Sequence, residues 1–127
     1  MIMSLDFYLE GEEYEDTHVC SNCFGEHTTK KRETLFDRNI THNLGVMAEA
    51  AGIYKALWRP EEIPATKARE IIPLLEKGLA KLKADPKKFE KHNAPNGWGT
   101  YEHFVPFVED VLRACKEYPE AHISVSR

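Results

Sequence analysis

Leu5, Phe7 and Leu9 alternate with Asp6, Tyr8 and Glu10, a period of two that predicts a strand with one buried face. Ala121, Ile123 and Val125 alternate in the same way with His122, Ser124 and Ser126, so the two ends of the chain are expected as neighbouring strands. Between Glu12 and Ile40 the chain is polar and β-leaning, with Tyr14, Thr17, Val19, Thr28, Thr29, Thr34, Leu35 and Phe36 spread around two cysteines. This pattern predicts a protruding hairpin over residues 12–38. At Thr41 the period changes. Leu44, Met47, Ala48, Ala51, Tyr54 and Trp58 fall on one helical stripe, and Val46, Ala50, Ile53 and Leu57 on another. A helix apolar on two faces is a buried one, and Pro60 ends it by disfavouring helical geometry at Arg59.

A second helix carries Ala68, Ile71, Ile72, Leu75, Leu79 and Leu82 inward, with a kink or restart expected at Pro73 and a stop at Asp85-Pro86. The third starts from Thr100 as N-cap, buries Tyr101, Phe104, Val105, Val108, Val111, Leu112 and Cys115, and closes at Tyr118-Pro119. The order predicts an α+β fold, a small antiparallel sheet including both termini packed against three helices.

A chain of 127 residues with 42% hydrophobic content fits one domain over residues 1–127, with the hairpin as a subelement. Its longest apolar runs fall far short of the ~18 to 20 residues of a membrane span, and Met1-Ile2-Met3-Ser4 lacks the pattern of a secretory signal. A cytoplasmic protein with no membrane partner is expected. The net charge of −4 argues against a dedicated nucleic-acid binder. That charge is uneven: Asp6, Glu10, Glu12, Glu13, Glu15 and Asp16 form an acidic first segment, whereas lysines prevail between residues 67 and 91.

His18-Val-Cys20-Ser-Asn-Cys23-Phe-Gly-Glu-His27 places two thiols and two imidazoles within ten residues. A C-x-x-C at a hairpin tip turns both sulfurs toward one point, and flanking imidazoles complete a tetrahedron, so His18, Cys20, Cys23 and His27 are candidate ligands of a closed, structural zinc. Free thiols, or a redox or intermolecular pair, are the alternatives. Cys115, on an apolar stripe, reads as a buried structural thiol.

Polar residues gather at two helix starts. Asn39-Ile40-Thr41-His42-Asn43 leads into the first helix, and Asn93-Ala94-Pro95-Asn96-Gly97-Trp98-Gly99-Thr100 into the third. Helix starts carry unpaired N–H groups and partial positive charge. If the two meet, Asn39, Thr41, His42, Asn43, Asn96, Trp98 and Tyr101 become candidate ligand-binding residues, with Arg59 as a fork for phosphate or carboxylate, though it starts a helix length away. Stacking on Trp98 and Tyr101 and polar reading by the asparagines suit a nucleotide-like anion. The plain alternative is that these residues cap helices, shape turns and fill the core. No catalytic residue is signalled beyond His42, which lacks an accompanying acid or nucleophile motif.

Asn39-Ile-Thr-His-Asn-Leu44, Ala51-Gly-Ile-Tyr-Lys-Ala-Leu-Trp-Arg-Pro-Glu-Glu62 and Asn96-Gly-Trp-Gly-Thr-Tyr-Glu102 together resemble motifs of a family of small uncharacterised phage and prophage proteins. The resemblance covers most of the chain from Asn39 onward. It implies an accessory gene product in a bacterial cytoplasm, with counter-defence as a common role, and carries over no catalytic residues.

Three functions are therefore expected to compete: a non-enzymatic binder sequestering a small anionic or nucleotide-derived ligand, a zinc-knuckle module contacting a host protein, and a small hydrolase using His42. A short terminal strand, or the helix bearing Gly45 and Gly52, would support a homo-oligomer.

Overall fold

Alternation at the N-terminus becomes the central strand of the molecule. The computed structural model describes residues 4–19, 25–93 and 99–127. Strand β1 (Ser4–Val19) lies between β2 (Glu26–Thr41) and β3 (His122–Ser126), and both pairings are antiparallel. The two terminal strands are neighbours, as their shared period predicts. Leu5, Phe7 and Leu9 point to one face and are fully buried there. Ile40 and Phe36 on β2, and Val125 and Ile123 on β3, are their cross-strand partners and join the same apolar cluster.

The hairpin is longer than expected. A separate first strand and a hairpin over 12–38 are one pair of 16-residue strands, in which irregularities between Leu9 and Glu10 and between Glu10 and Glu13 adjust the register without ending the ladder. Because β3 pairs only with the stretch from Asp6 to Glu10, the rest of the hairpin is a two-stranded ribbon. Along it the acidic segment meets a basic one: Glu13 is opposite Arg32, and Glu15 opposite Lys30. His18 stands opposite His27. Cys20 and Cys23 lie outside the described residues.

The helices cover the apolar face of the sheet. In place of one helix over residues 41–58, the chain makes a 3-10 turn (His42–Leu44), α1 (Gly45–Ala50) and α2 (Tyr54–Trp58). The break is a Schellman arrangement: Gly52 has φ +80, Ile53 N–H bonds to Ala48 O at 2.9 Å, and Gly52 N–H to Glu49 O at 3.0 Å. The apolar period runs through this break because both halves bury their stripes in the same core.

At Pro73 the chain restarts, one of the two expected outcomes: a 3-10 turn (Ala68–Glu70) precedes α3 (Ile72–Ala84), which has the proline in its first turn. Asp85 then caps the short α4 (Pro86–Glu90) through Lys88 N–H. Helix α5 (Tyr101–Glu117) buries Phe104, Phe107, Val108, Val111, Leu112 and Cys115 and ends at Tyr118. Arg38, on the core-facing side of β2, is paired with Asp110 and lies over the Phe107 ring. No polar residue is buried among those described, and none of the described helices is long and apolar enough to cross a membrane.

Candidate functional site

The structure brings the two predicted helix starts together. A Cβ added at Gly99 would lie 3.0 Å from both Asn43 Cβ and Thr41 Cγ2, so the loop before α5 packs directly on the turn before α1. A recess of about 370 Å³ opens beside them, lined among others by Asn39, Thr41, Gly99, Glu102 and His103. Four of its polar side chains, Arg38, Asn39, Thr41 and His103, have internal partners. Asn39 Nδ2 donates to Asp6 Oδ1 at 2.7 Å, and Thr41 Oγ1 accepts from Asn43 N–H at 3.4 Å.

Helix α5 is capped differently from the sequence expectation. Thr100 Oγ1 shares a 3.0 Å hydrogen bond with His103 Nδ1, and the Tyr101 N–H is taken by Asn93 Oδ1 at 2.8 Å. The Tyr101 hydroxyl donates to Leu82 O at 2.9 Å, tying α5 to the last turn of α3. Tyr101 thus tethers α5 to α3 through its hydroxyl, with its ring partly buried. Asn96 and Trp98 lie outside the described residues.

His42 and Arg59 belong to a second recess, of about 620 Å³, whose lining also includes Val46, Glu49, Tyr54, Trp58 and Arg127. The Gly52 turn explains how they meet. By reversing the chain between α1 and α2 it packs the two segments together, with Tyr54 Cε2 only 3.4 Å from where a Cβ on Gly45 would sit. Tyr54 stacks on Trp58 with ring centroids 5.4 Å apart and planes 13° from parallel. The buried Trp58 donates its indole N–H to His42 Nδ1 at 2.7 Å. An indole nitrogen can only donate, so Nδ1 is the acceptor and the neutral imidazole carries its proton on Nε2. In this tautomer His42 offers a donor, and its one lone pair is already committed. That is poor geometry for the general base of a hydrolase.

Two guanidiniums complete the recess. Arg127 Nη1 donates to Trp58 O at 2.7 Å and to Glu61 Oε1 at 2.6 Å, which fixes one arm of the fork and holds the Glu61 carboxylate below its usual range. Arg59 forms an exposed pair with Glu62, Nε to Oε2 at 3.5 Å. A hydrogen bond with Tyr54 is the first cause raising the Arg59 pKa above its ordinary value, with Glu62 and Glu61 contributing, so its charge is secure. The arrangement presents three sets of N–H donors beside an aromatic wall.

Sequence reading missed Tyr54 as a lining residue because it falls on an apolar stripe, and missed Arg127 because one cation after a short strand has no periodic signal. The thiol of Cys115 is buried and pushed up to about 12 by desolvation, which removes it from nucleophilic chemistry. Among the described residues no group of three His, Cys, Asp or Glu side chains could hold a metal ion. Compared with protein-family models, with curated proteins and with solved structures, the chain finds no match.

Proposed function

We propose that this chain is a non-enzymatic binding protein for a small organic anion held in the recess between α1, α2 and the end of β3. The observation that carries the reading is the convergence of Arg59, Arg127 and His42 on one cavity of about 620 Å³. Guanidiniums bind phosphate and carboxylate through paired N–H bonds. The tether from Arg127 to Trp58 O and Glu61 supports this reading, since a fork already held in place loses less entropy on binding. The Nε2 proton of His42 adds a donor, and Tyr54 adds a ring edge or face for a flat ligand. Binding without turnover suits sequestration, one form of the counter-defence role common among the accessory proteins that the motifs resemble.

Isothermal titration against inorganic phosphate, simple carboxylates, nucleotides and cyclic nucleotides tests it. Binding that is lost in Arg59→Gln and Arg127→Gln supports the proposal; a folded protein that binds none of these anions overturns it.

A zinc-knuckle interaction module is a second reading, favoured by the register that sets His18 opposite His27, the two histidines that flank Cys20 and Cys23 in the sequence. Near-equimolar zinc in the purified protein, lost in Cys20→Ser, supports it; metal-free protein with an unchanged fold counts against it.

A further inference from the structure

Beside the cationic recess lies a smaller one of about 260 Å³, and the two share Tyr54 and Glu49 in their linings. The smaller recess is walled by Gly52, Ala56, Ile63 and Leu74, with Lys55 at its edge. Leu74 is 37% exposed here and Val46 is 60% exposed at the cationic side, two of the three large hydrophobic side chains left exposed among the described residues. An apolar recess adjoining one lined by two guanidiniums is complementary to an amphiphilic anion. It needs an oxyanion at one end and an apolar chain or ring at the other, joined across Tyr54.

Resting on the anion-binding reading above, we infer that the ligand is a free amphiphilic anion, its charged head between Arg59 and Arg127 and its apolar portion along Tyr54, Ile63 and Leu74. The smaller recess offers few donors and acceptors to read the polar edge of a nucleobase. Its walls reward apolar surface instead. Lys55, 3.9 Å from Glu62, and the exposed Glu49 both border the smaller recess, so the positive charge that selects the head group comes from Arg59 and Arg127. Among the described residues, the recess beside β3 mixes Glu10 and Glu61 with Arg32 and His122, and the apolar one at Leu35 and Tyr118 is bordered by Glu12 and Glu120.

The experiment is a titration with inorganic phosphate and with methyl, butyl, hexyl and octyl phosphate, each below its micelle-forming concentration, alongside the matching alcohols and adenosine monophosphate. Affinity is expected to rise about fourfold per added methylene until the groove is filled, since each buried methylene contributes a nearly constant increment. The alcohols bind at least tenfold more weakly. In Leu74→Asn, an exposed position whose fold is checked by circular dichroism, the dependence on chain length flattens.

Equal affinity for phosphate and octyl phosphate, or tighter binding of adenosine monophosphate than of octyl phosphate, overturns this inference while leaving the anion site standing. Absence of binding by every anion overturns both. Co-sedimentation with phosphatidic acid vesicles, without binding of monomeric octyl phosphate, assigns the surface to a membrane lipid and overturns the free-ligand inference.

Discussion

The indole N–H of Trp58 meets Nδ1 of His42 at 2.7 Å, joining the buried end of α2 to the turn that opens α1. One bond thus fixes a side chain of the recess and the packing of two short helices that could not stand alone. Trp58→Phe keeps most of the ring but leaves Nδ1 without its donor. A loss of about 2 kcal/mol in urea unfolding is expected, from the unpaired acceptor and the smaller ring together. Nitrogen-15 NMR of the wild type should show the neutral imidazole with its proton on Nε2; a proton on Nδ1 contradicts the hydrogen bond.

Gly78 is expected to reject alanine. In an ordinary helix interior that exchange gains about 1 kcal/mol. Here a Cβ would lie 2.2 Å from Ile53 Cγ2 and 3.3 Å from Ala51 O, both in the buried Schellman turn. Ile53 is branched and enclosed, so the turn itself must shift. Gly78→Ala should therefore destabilise by about 1 to 3 kcal/mol in chemical denaturation, the usual cost of overpacking. A gain in stability would show that α3 and this turn are not in contact.

What could be read from the sequence followed from periodicity. Leu5, Phe7 and Leu9, with Ile123 and Val125, needed only an alternating pattern to be placed on one face of one sheet. The stripe from Phe104 to Cys115 needed only a helical one. The break at Gly52 did not show, because Met47, Ala48, Leu57 and Trp58 are buried in the same core on both sides of it. That break is what carries Arg59 back to His42, so the site was split on paper between two helix ends. Gly99 packs the two starts together, but Asp6 and Asn93 supply partners to Asn39 and Tyr101 that no local pattern announces.

Stability should fall in acid with a defined origin. The Glu70 carboxylate accepts from Thr66 N–H at 2.6 Å and Lys67 N–H at 3.2 Å, and these bonds hold it below its ordinary 4.5. Glu61 and Glu120 are lowered too, by Arg127 and Lys67 first among their causes. A carboxyl whose folded pKa is depressed contributes stability above its unfolded value and loses that contribution as pH drops through the folded value. The urea midpoint should hold steady down to about pH 5 and decline below it, and Glu70→Gln should make the decline shallower. Cys115 acts at the other extreme: raised from 9.0 to about 12, it contributes stability that is lost as pH climbs through that interval. A thiol reagent should accordingly modify it only on unfolding, as peptide mass spectrometry can establish.

Neighbouring glutamates should affect anion binding with opposite signs. Glu62 sits 3.5 Å from Arg59 and 3.9 Å from Lys55, an exposed pairing that competes with any incoming oxyanion. Such surface pairs are worth up to about 1 kcal/mol, so Glu62→Gln should tighten binding of hexyl phosphate by about two- to fivefold. Glu61 instead anchors Arg127 Nη1 at 2.6 Å, and Trp58 O takes the same nitrogen at 2.7 Å. Glu61→Gln weakens that anchor and releases the fork, so affinity should fall although the same negative charge has been removed. Isothermal titration of both variants at low and moderate salt separates local geometry from overall charge, because a pure charge effect raises both affinities alike and fades with screening. Equal tightening in the two variants would mean that Arg127 is not positioned by Glu61 to receive the ligand.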